Sequence, residues 1–149
     1  MSETVVIALG GNALVKPDQS GQFDEQIQSA TKTANCIAKI LRRGKQVVLT
    51  HGNGPQVGNI LLQNDCKTDD AQRMPLFGCS AESQGLIGAA LAVALNRAFQ
   101  QRNIDQRAVP ILTPVDVDRS DDIEPTKPVG PFYTKSKAKE LESKTGHPF

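Results

Sequence analysis

Aromatic residues are scarce in this chain of 149 residues, at 4%, and tryptophan is absent. The core must therefore be assembled from aliphatic side chains. An excess of charge of one sign is also missing, because 17 basic residues stand against 16 acidic ones and leave a net charge of +1. This balance gives no support for the strongly basic surface that is typical of nucleic-acid-binding proteins, and we expect no nucleic-acid partner.

Cysteine and histidine are also scarce, with three of the first and two of the second. Cys36, Cys66 and Cys79 are far apart and form no Cys-x-x-Cys pair, which argues against a zinc site and against a disulfide framework. No run of about 18 apolar residues occurs, and the N-terminus lacks the regions of a signal peptide. We therefore expect a cytoplasmic protein with no membrane partner.

Two glycine-rich turns each follow directly on an apolar run. The run VVIAL at residues 5–9 leads into GGN at residues 10–12, and VVLT at residues 47–50 leads into HGNGPQ at residues 51–56. A strand of a parallel α/β sheet that ends in glycines presents bare backbone N–H groups to a ligand. Because glycine permits close approach and a positive φ, we predict that both turns line one crevice that binds a small anion.

The apolar periodicity predicts one β-α-β unit over residues 5–50. Strands at residues 5–9 and 46–50 flank a helix whose apolar positions recur three and four residues apart and which ends near Gly44. The continuous apolar sequence of the first strand is typical of a sheet that is covered on both faces. The sequence therefore predicts the α/β class, with three αβα layers around a mainly parallel sheet.

Two helices and a third strand are predicted beyond the second turn. The helices cover residues 57–63 and 80–101, and Ser80 is placed as the N-terminal cap of the second helix. The strand covers residues 107–113, where proline favours an edge position or a bulge. Residues 115–117 are predicted to continue this strand or to form a hairpin arm.

The side chains at the turns favour a ligand that carries both an acidic and an amino group. Neither turn is a Walker loop or a Gly-x-Gly-x-x-Gly fingerprint. Asn12 and Asn53 each carry an amide that can donate to an anion and accept from an amino group. The alternative is that both asparagines only tolerate left-handed backbone. His51 is interpreted as a residue that fixes the turn, because phosphoryl transfer needs positioning and charge rather than a base.

Lys127 lies in a proline-rich loop over residues 119–131, ahead of a short polar helix predicted over residues 134–144. A lysine on a restrained loop can act as a point charge against a transferring phosphoryl group. The alternative is an ordinary surface lysine, and the residues taken alone favour it.

Four segments resemble, in the same order, those of carbamate kinases, a branch of the amino acid kinase superfamily. They are VVIALGGNAL at residues 5–14, LTHGNGPQVGNILL at residues 49–62, QGLIG at residues 84–88 and PTKPVGPF at residues 125–132. The resemblance implies a phosphotransferase of the arginine deiminase pathway type, which interconverts ATP plus carbamate with ADP plus carbamoyl phosphate. It also implies an amino acid kinase-like fold and a homodimer formed in part by the helix from Ser80.

The same resemblance implies two groups of substrate-binding residues at the glycine turns. They are Gly10, Gly11 and Asn12 in the first turn and Gly52, Asn53 and Gly54 in the second. The first group would bind the anion, and the second would hold carbamate or the carbamoyl end of carbamoyl phosphate. Lys127 would be the catalytic residue that reaches the phosphoryl group, and no protein-held metal is implied.

Members of this family are roughly twice as long as this chain, so the resemblance covers only their N-terminal half. Residues 1–149 would form the carbamate-binding lobe, with residues 119–149 as the start of a protruding subdomain. Mg²⁺-ATP or ADP would bind as co-substrate, mainly through the missing C-terminal lobe. The chain alone is expected to be nearly inactive and to expose an unpaired sheet edge, unless a separate C-terminal lobe covers it.

Two alternatives to a carbamate kinase stay open at this point. One is a catalytically inactive, truncated module that binds carbamoyl phosphate or only dimerises. The other is an amino acid kinase that acts on a larger carboxylate such as glutamate or aspartate.

Overall fold

The structure is a computed structural model that describes residues 2–10, 13–14, 22–64, 72–118 and 133–145. Within these ranges the chain forms two strands and four helices. In chain order they are β1 (Thr4–Leu9), α1 (Phe23–Leu41), β2 (Gln46–His51), α2 (Gly54–Asn64), α3 (Leu76–Gln100) and α4 (Lys135–Thr145). The predicted β-α-β unit is confirmed as β1, α1 and β2.

The two strands pair in parallel, with Thr4 opposite Gln46 and Leu9 opposite His51. Parallel neighbours need a crossover connection, which α1 supplies. This arrangement confirms the predicted α/β class with a parallel sheet. It also brings the carboxyl ends of both strands to the same edge of the sheet, where both glycine turns begin.

One face of the sheet packs on helices, and the other face is open within the described residues. Ile7 and Leu49 are half-buried and contact the core, whereas Val6 and Val48 are 67% and 49% exposed. Alternate residues of a strand point to opposite faces, which accounts for this division.

Helix α1 packs directly against α3. Its contact positions include Ala30, Ala34 and Ala38, which have no exposed surface. Such small side chains let the two helix axes approach closely, and the larger Leu91 and Leu95 of α3 fill the space between them. Burying each of these leucines contributes roughly 1.5–3 kcal/mol. This aliphatic contact forms the centre of the core, as the scarcity of aromatic residues predicts.

Local signals fix both ends of α1. At its start, the backbone N–H of Gln22 donates to Glu25 Oε2 over 3.1 Å, as in a capping box. At its end, Gly44 has a φ of 76°, and its N–H donates to the Leu41 carbonyl over 2.9 Å. Glycine adopts this left-handed conformation without the cost that a side chain would add. The helix end predicted near Gly44 is confirmed.

Helices α2 and α3 both begin earlier than the sequence predicts. The first starts at Gly54 rather than at residue 57, and the second starts at Leu76 rather than at residue 80. Pro75 is the N-cap of α3, with a φ of −67°, and a residue without an N–H loses no hydrogen bond at a helix start. The prediction of Ser80 as a cap is therefore wrong, because Ser80 lies about one turn inside the helix.

Helix α3 is long and apolar enough to cross a membrane by length and composition alone. In the structure the apolar residues of α3 pack in the core, where Ile87, Leu91 and Leu95 are buried. The core helix of a globular domain has the same length and composition.

The third strand predicted over residues 107–113 is absent from the described part of the chain, where residues 104–118 contain neither strand nor helix. Instead, side chains of α3 hold this segment. Asn96 Oδ1 accepts from the N–H of Ala108 over 3.0 Å, and Asn96 Nδ2 donates to the Ala108 carbonyl over 3.4 Å. Farther along, Gln84 Oε1 accepts from the N–H of Thr113 over 2.9 Å.

These contacts require nearly extended backbone, although the segment pairs with no described strand. Asn96 and Gln84, the two residues of α3 that make these contacts, are about 18 Å apart, given a rise of about 1.5 Å per helical residue. The stretch from Ala108 to Thr113 reaches about 17 Å only when it is extended. Gly88 leaves room for this path, since a Cβ there would lie 2.8 Å from Pro110 Cβ.

The polar helix predicted over residues 134–144 is confirmed as α4. Its Glu140 carboxylate binds Lys144 Nζ at 2.6 Å and Lys137 Nζ at 3.0 Å, and these two lysines lower its pKa to about 2. A lowered pKa stabilises the helix above the usual pKa of 4.5 and loses this effect as the pH falls towards about 2. The effect is confined to the surface, where water and salt screen it.

We expect Asn96→Ala to loosen residues 104–118, because it removes both hydrogen bonds to Ala108. The free energy of unfolding should fall by about 1–2 kcal/mol, since a half-buried N–H and carbonyl lose their partners. Urea unfolding followed by circular dichroism measures this change. Gln100→Ala, at an exposed position of the same helix, is the control and should change stability by less than about 0.5 kcal/mol. Equal effects of both substitutions would contradict the role of Asn96.

Candidate functional site

The two glycine turns lie side by side at one edge of the sheet. Leu9 pairs with His51, so Gly10 and Gly52 are the next residues of two neighbouring strands, which run about 4.8 Å apart. The N–H of Gly52 donates to the Leu9 carbonyl over 3.4 Å and continues the ladder by one step. The predicted juxtaposition of the two turns is therefore confirmed for Gly10 and Gly52.

The glycines of these turns leave open space in front of the backbone. A Cβ built on Gly10, Gly52 or Gly54 would meet no described atom within 4 Å. Among the described glycines only Gly44 has a positive φ, so the backbone conformation at the site does not demand glycine. The sequence suggests two reasons for these glycines, a positive φ and close approach by a ligand. Because the described glycines of the site have no positive φ, close approach is the reason that still applies.

The N-terminus of α2 opens at the same place. The carbonyl of Asn53 accepts from the N–H of Val57 over 2.9 Å, which makes Asn53 the residue that precedes the helix. Its side chain does not cap the helix, and the N–H groups of Gly54 and Gln56 have no acceptor among the described residues. Such free N–H groups, at the positive end of a helix dipole, favour a bound anion.

The Asn53 side chain binds α3 instead. Its Nδ2 donates to Ser83 Oγ over 2.8 Å and to Ser80 Oγ over 3.2 Å. Ser83 has no exposed surface, and its hydroxyl donates to the carbonyl of Ser80 over 2.7 Å. Both amide protons of Asn53 are thus used within the protein, which leaves the carbonyl oxygen Oδ1 as the group available to a ligand.

Two other polar side chains of the second turn serve the fold. His51 Nδ1 lies 3.1 Å from the Gly52 carbonyl, which can only accept, so the ring donates and fixes the turn as predicted. Gln56 is buried, and its Nε2 donates to Gln26 Oε1 over 3.1 Å. This bond ties the start of α2 to α1. The Asn53 carbonyl oxygen, in contrast, has no partner among the described residues and stays available to a ligand.

Sequence reasoning missed the serines that hold Asn53. The sequence pattern predicts a helix cap at Ser80, and no pattern points to Ser83. Their signal in the sequence is a pair of serines three residues apart on one helix, a spacing that places both on one side. That spacing does not reveal the partner, because Asn53 meets them only through the packing of α2 on α3.

Several predicted positions lie outside the described residues. Gly11, Asn12 and Lys127 are among them, as is most of the predicted protruding subdomain at residues 119–149. The roles suggested for these three residues therefore still depend on the resemblance. Within the described part of the chain, no three His, Cys, Asp or Glu residues lie close enough together to hold a metal ion.

The chain is similar to carbamate kinases over about half of their length. It is 47% identical to a carbamate kinase of Pyrococcus horikoshii, over 98% of this chain and 48% of that protein. A carbamate kinase of Giardia intestinalis is 43% identical over 93% of this chain and 44% of that protein. The predicted resemblance is confirmed, and the chain spans about half the length of the curated relatives that it matches.

Solved structures agree with the sequence comparison. A structure of Giardia carbamate kinase superposes with a TM-score of 0.85 and 44% identity, over 91% of this chain and 47% of that one. A structure from Aeropyrum pernix superposes with a TM-score of 0.82 and 34% identity. The model of the amino acid kinase family matches residues 3–113, which include both glycine turns and α3. The chain therefore belongs to the amino acid kinase family.

Proposed function

We propose that this chain forms the carbamate-binding part of a carbamate kinase. The reaction is a phosphoryl transfer in which a carbamate oxygen bonds to the γ-phosphorus of ATP and ADP leaves, giving carbamoyl phosphate. Such a transfer needs positioning and neutralisation of charge more than covalent help from the protein. Bare backbone N–H groups beside a helix N-terminus supply that kind of environment.

The observation that carries this proposal is the open space in front of Gly10, Gly52 and Gly54. Neither packing against described atoms nor a positive φ accounts for glycine at these positions. A small anionic ligand that approaches the backbone directly would account for it. Carbamate and carbamoyl phosphate are ligands of this size and charge, and the relatives that match this chain are carbamate kinases.

Within this proposal the site residues have distinct roles. Gly10, together with Gly11 and Asn12, binds the anion at the first turn. Gly52, Asn53 and Gly54 hold the carbamoyl end at the second turn, next to the open start of α2. Lys127 neutralises charge on the transferring phosphoryl group.

We place the nucleotide outside the described site. A structure of a Giardia lamblia carbamate kinase holds AMP-PNP, which supports ATP or ADP as the co-substrate of this family. Mg²⁺ would arrive on the nucleotide phosphates, which is how kinases commonly bind this ion. The half of the relatives that this chain does not match is the proposed nucleotide lobe.

The comparisons support a kinase and do not favour the alternative of an inactive binding module. An amino acid kinase for glutamate or aspartate has no support among the carbamate kinases that match. A cytoplasmic location and a role in arginine metabolism are part of the same proposal, and they depend on the family resemblance.

We also propose a homodimer formed through α3. Leu86, Ala89 and Val93 are exposed on this helix. Residues three, four and seven apart lie on one side of a helix, so the three form an apolar stripe beside the buried face. An exposed apolar stripe of this kind suits a contact with a second copy of the chain.

We expect Gly10→Ala to weaken the binding of carbamoyl phosphate by tenfold or more without lowering stability. The added methyl group occupies the space through which an anion reaches the backbone, and a lost hydrogen bond to a charged group costs about 1.5–3 kcal/mol. Calorimetric titration of the chain with carbamoyl phosphate measures the affinity, and urea unfolding measures the stability.

Gly85→Ala is the matched control for this experiment. Gly85 lies on α3, and a Cβ there also meets nothing within 4 Å. This change should raise stability by up to about 1 kcal/mol through helix propensity and should leave binding unchanged. If Gly10→Ala bound carbamoyl phosphate as tightly as the wild type, the anion site would be assigned wrongly.

The 149-residue chain is expected to form no ATP from ADP, Mg²⁺ and carbamoyl phosphate on its own. Loss of nucleotide positioning removes an advantage worth about 7–11 kcal/mol of the barrier, far beyond a tenfold change in rate. A coupled assay for ATP, on a sample shown to be folded by circular dichroism, measures this. Turnover at an ordinary enzymatic rate would contradict the placement of the nucleotide site in another lobe.

We expect Val93→Asp to convert the proposed dimer into a monomer, because a charge buried in an apolar contact has no partner there. Light scattering coupled to size-exclusion chromatography gives the mass. Gln100→Asp, at an exposed end of the same helix, should leave the dimer intact. A wild-type chain that is monomeric at high concentration would rule out this interface.

A further inference from the structure

We infer that Ser83 holds the Asn53 amide in one orientation, with Oδ1 turned to the ligand, so that the site selects an acyl phosphate with an amino group on its carbonyl carbon. Ser83 is therefore a positioning residue and does not touch the ligand itself. This inference rests on the proposed function and names the group of the substrate that Asn53 recognises.

The direction of the hydrogen bonds follows from the single proton of the Ser83 hydroxyl. That proton is donated to the Ser80 carbonyl over 2.7 Å, so Ser83 Oγ can only accept from Asn53. The atom of Asn53 that lies 2.8 Å away must then be the amide nitrogen. In the reverse orientation two oxygen lone pairs would face each other in a fully buried place.

Ser80 alone would not fix the orientation. Its hydroxyl accepts from Asn53 Nδ2 over 3.2 Å, and its own proton has no acceptor among the described residues. A hydroxyl in this position can accept from the amide nitrogen or donate to the amide oxygen equally well. The two serines therefore differ in role, because only Ser83 forbids the reversed amide.

The fixed orientation determines what the site can recognise. Asn53 Oδ1 has no hydrogen-bond partner among the described residues, and Asn53 stands between Gly52 and Gly54 in the chain. An acceptor beside an anion site matches a ligand that carries N–H donors next to its anionic group. The sequence predicts that Asn53 both donates to and accepts from the ligand. In the structure both N–H donors bind serines, so Asn53 can only accept from the ligand.

Carbamoyl phosphate and acetyl phosphate are the matched probes, because they differ in an amino group against a methyl group. The wild-type chain should bind carbamoyl phosphate at least about tenfold more tightly, the equivalent of one hydrogen bond of about 1.4 kcal/mol. In Ser83→Ala the amide can turn, so the preference should fall below about threefold. In Ser80→Ala the orientation is kept, and so is the preference.

Two serine-to-alanine controls separate this role from general effects of the substitution. Ser143→Ala in α4 removes the same type of bond, a serine hydroxyl that donates over 2.7 Å to the carbonyl three residues before it. Ser29→Ala in α1 removes a buried serine hydroxyl away from Asn53. Both controls should keep the wild-type ratio of the two affinities.

The orientation has a readout that needs no ligand. Nuclear magnetic resonance of the side-chain amides should show slower solvent exchange for Asn53 than for the exposed Asn103. Exchange at Asn53 should become faster in Ser83→Ala. Asn53 protons that exchange as fast as those of Asn103 in the wild type would overturn the inferred orientation, even if the variant failed to fold.

The outcomes of the binding experiment separate the inference from the proposed function. If the wild type bound both acyl phosphates equally, the selection by Asn53 would be wrong, while an acyl phosphate site would stand. If it bound neither probe, the proposed function would fail together with the inference. If the preference for carbamoyl phosphate survived in Ser83→Ala but disappeared in Ser80→Ala, the residue that positions the Asn53 amide would be Ser80 and not Ser83.

Discussion

The packing of α3 against α1 is the contact on which the other parts of this structure depend. Ala30, Ala34 and Ala38 bring α1 close to α3, and α1 also joins the two paired strands. The position of α3 relative to the sheet edge is thereby fixed. Since α2 packs on the same helix, Ser83 lies where the Asn53 side chain can reach it. The geometry of the turn thus depends on an aliphatic contact between two helices.

Within the site, polar groups divide between holding the fold and meeting a ligand. His51 fixes its own turn, Gln56 binds α1, and Asn53 gives both amide protons to α3. The groups that stay available to a ligand include the Asn53 carbonyl oxygen, the open start of α2 and bare glycine backbone. The two bonds from the Asn53 amide to α3 hold this side chain in place, so this part of the site is preorganised and does not lose binding energy in being ordered.

Patterns along the sequence predicted the elements whose causes are local. The β-α-β unit and the end of α1 at Gly44 depend on neighbouring residues, and they are confirmed. The start of α3 and the third strand were predicted wrongly for different reasons. Pro75 competes with Ser80 as a helix start, and the sequence does not show which one prevails. The segment at residues 104–118 carries strand-like residues, but it meets amide side chains of α3 instead of a partner strand.

Residues 104–118 and the open face of the sheet expose apolar side chains that no described residue covers. Val109, Ile111 and Val117 are exposed in this segment, and Val6 and Val48 are exposed on the open face of the sheet. Apolar residues in such numbers are typical of surfaces that contact other parts of a protein. The relatives that match are about twice as long as the matched region. We infer that the half of the relatives that this chain does not match covers exposed apolar residues of this kind.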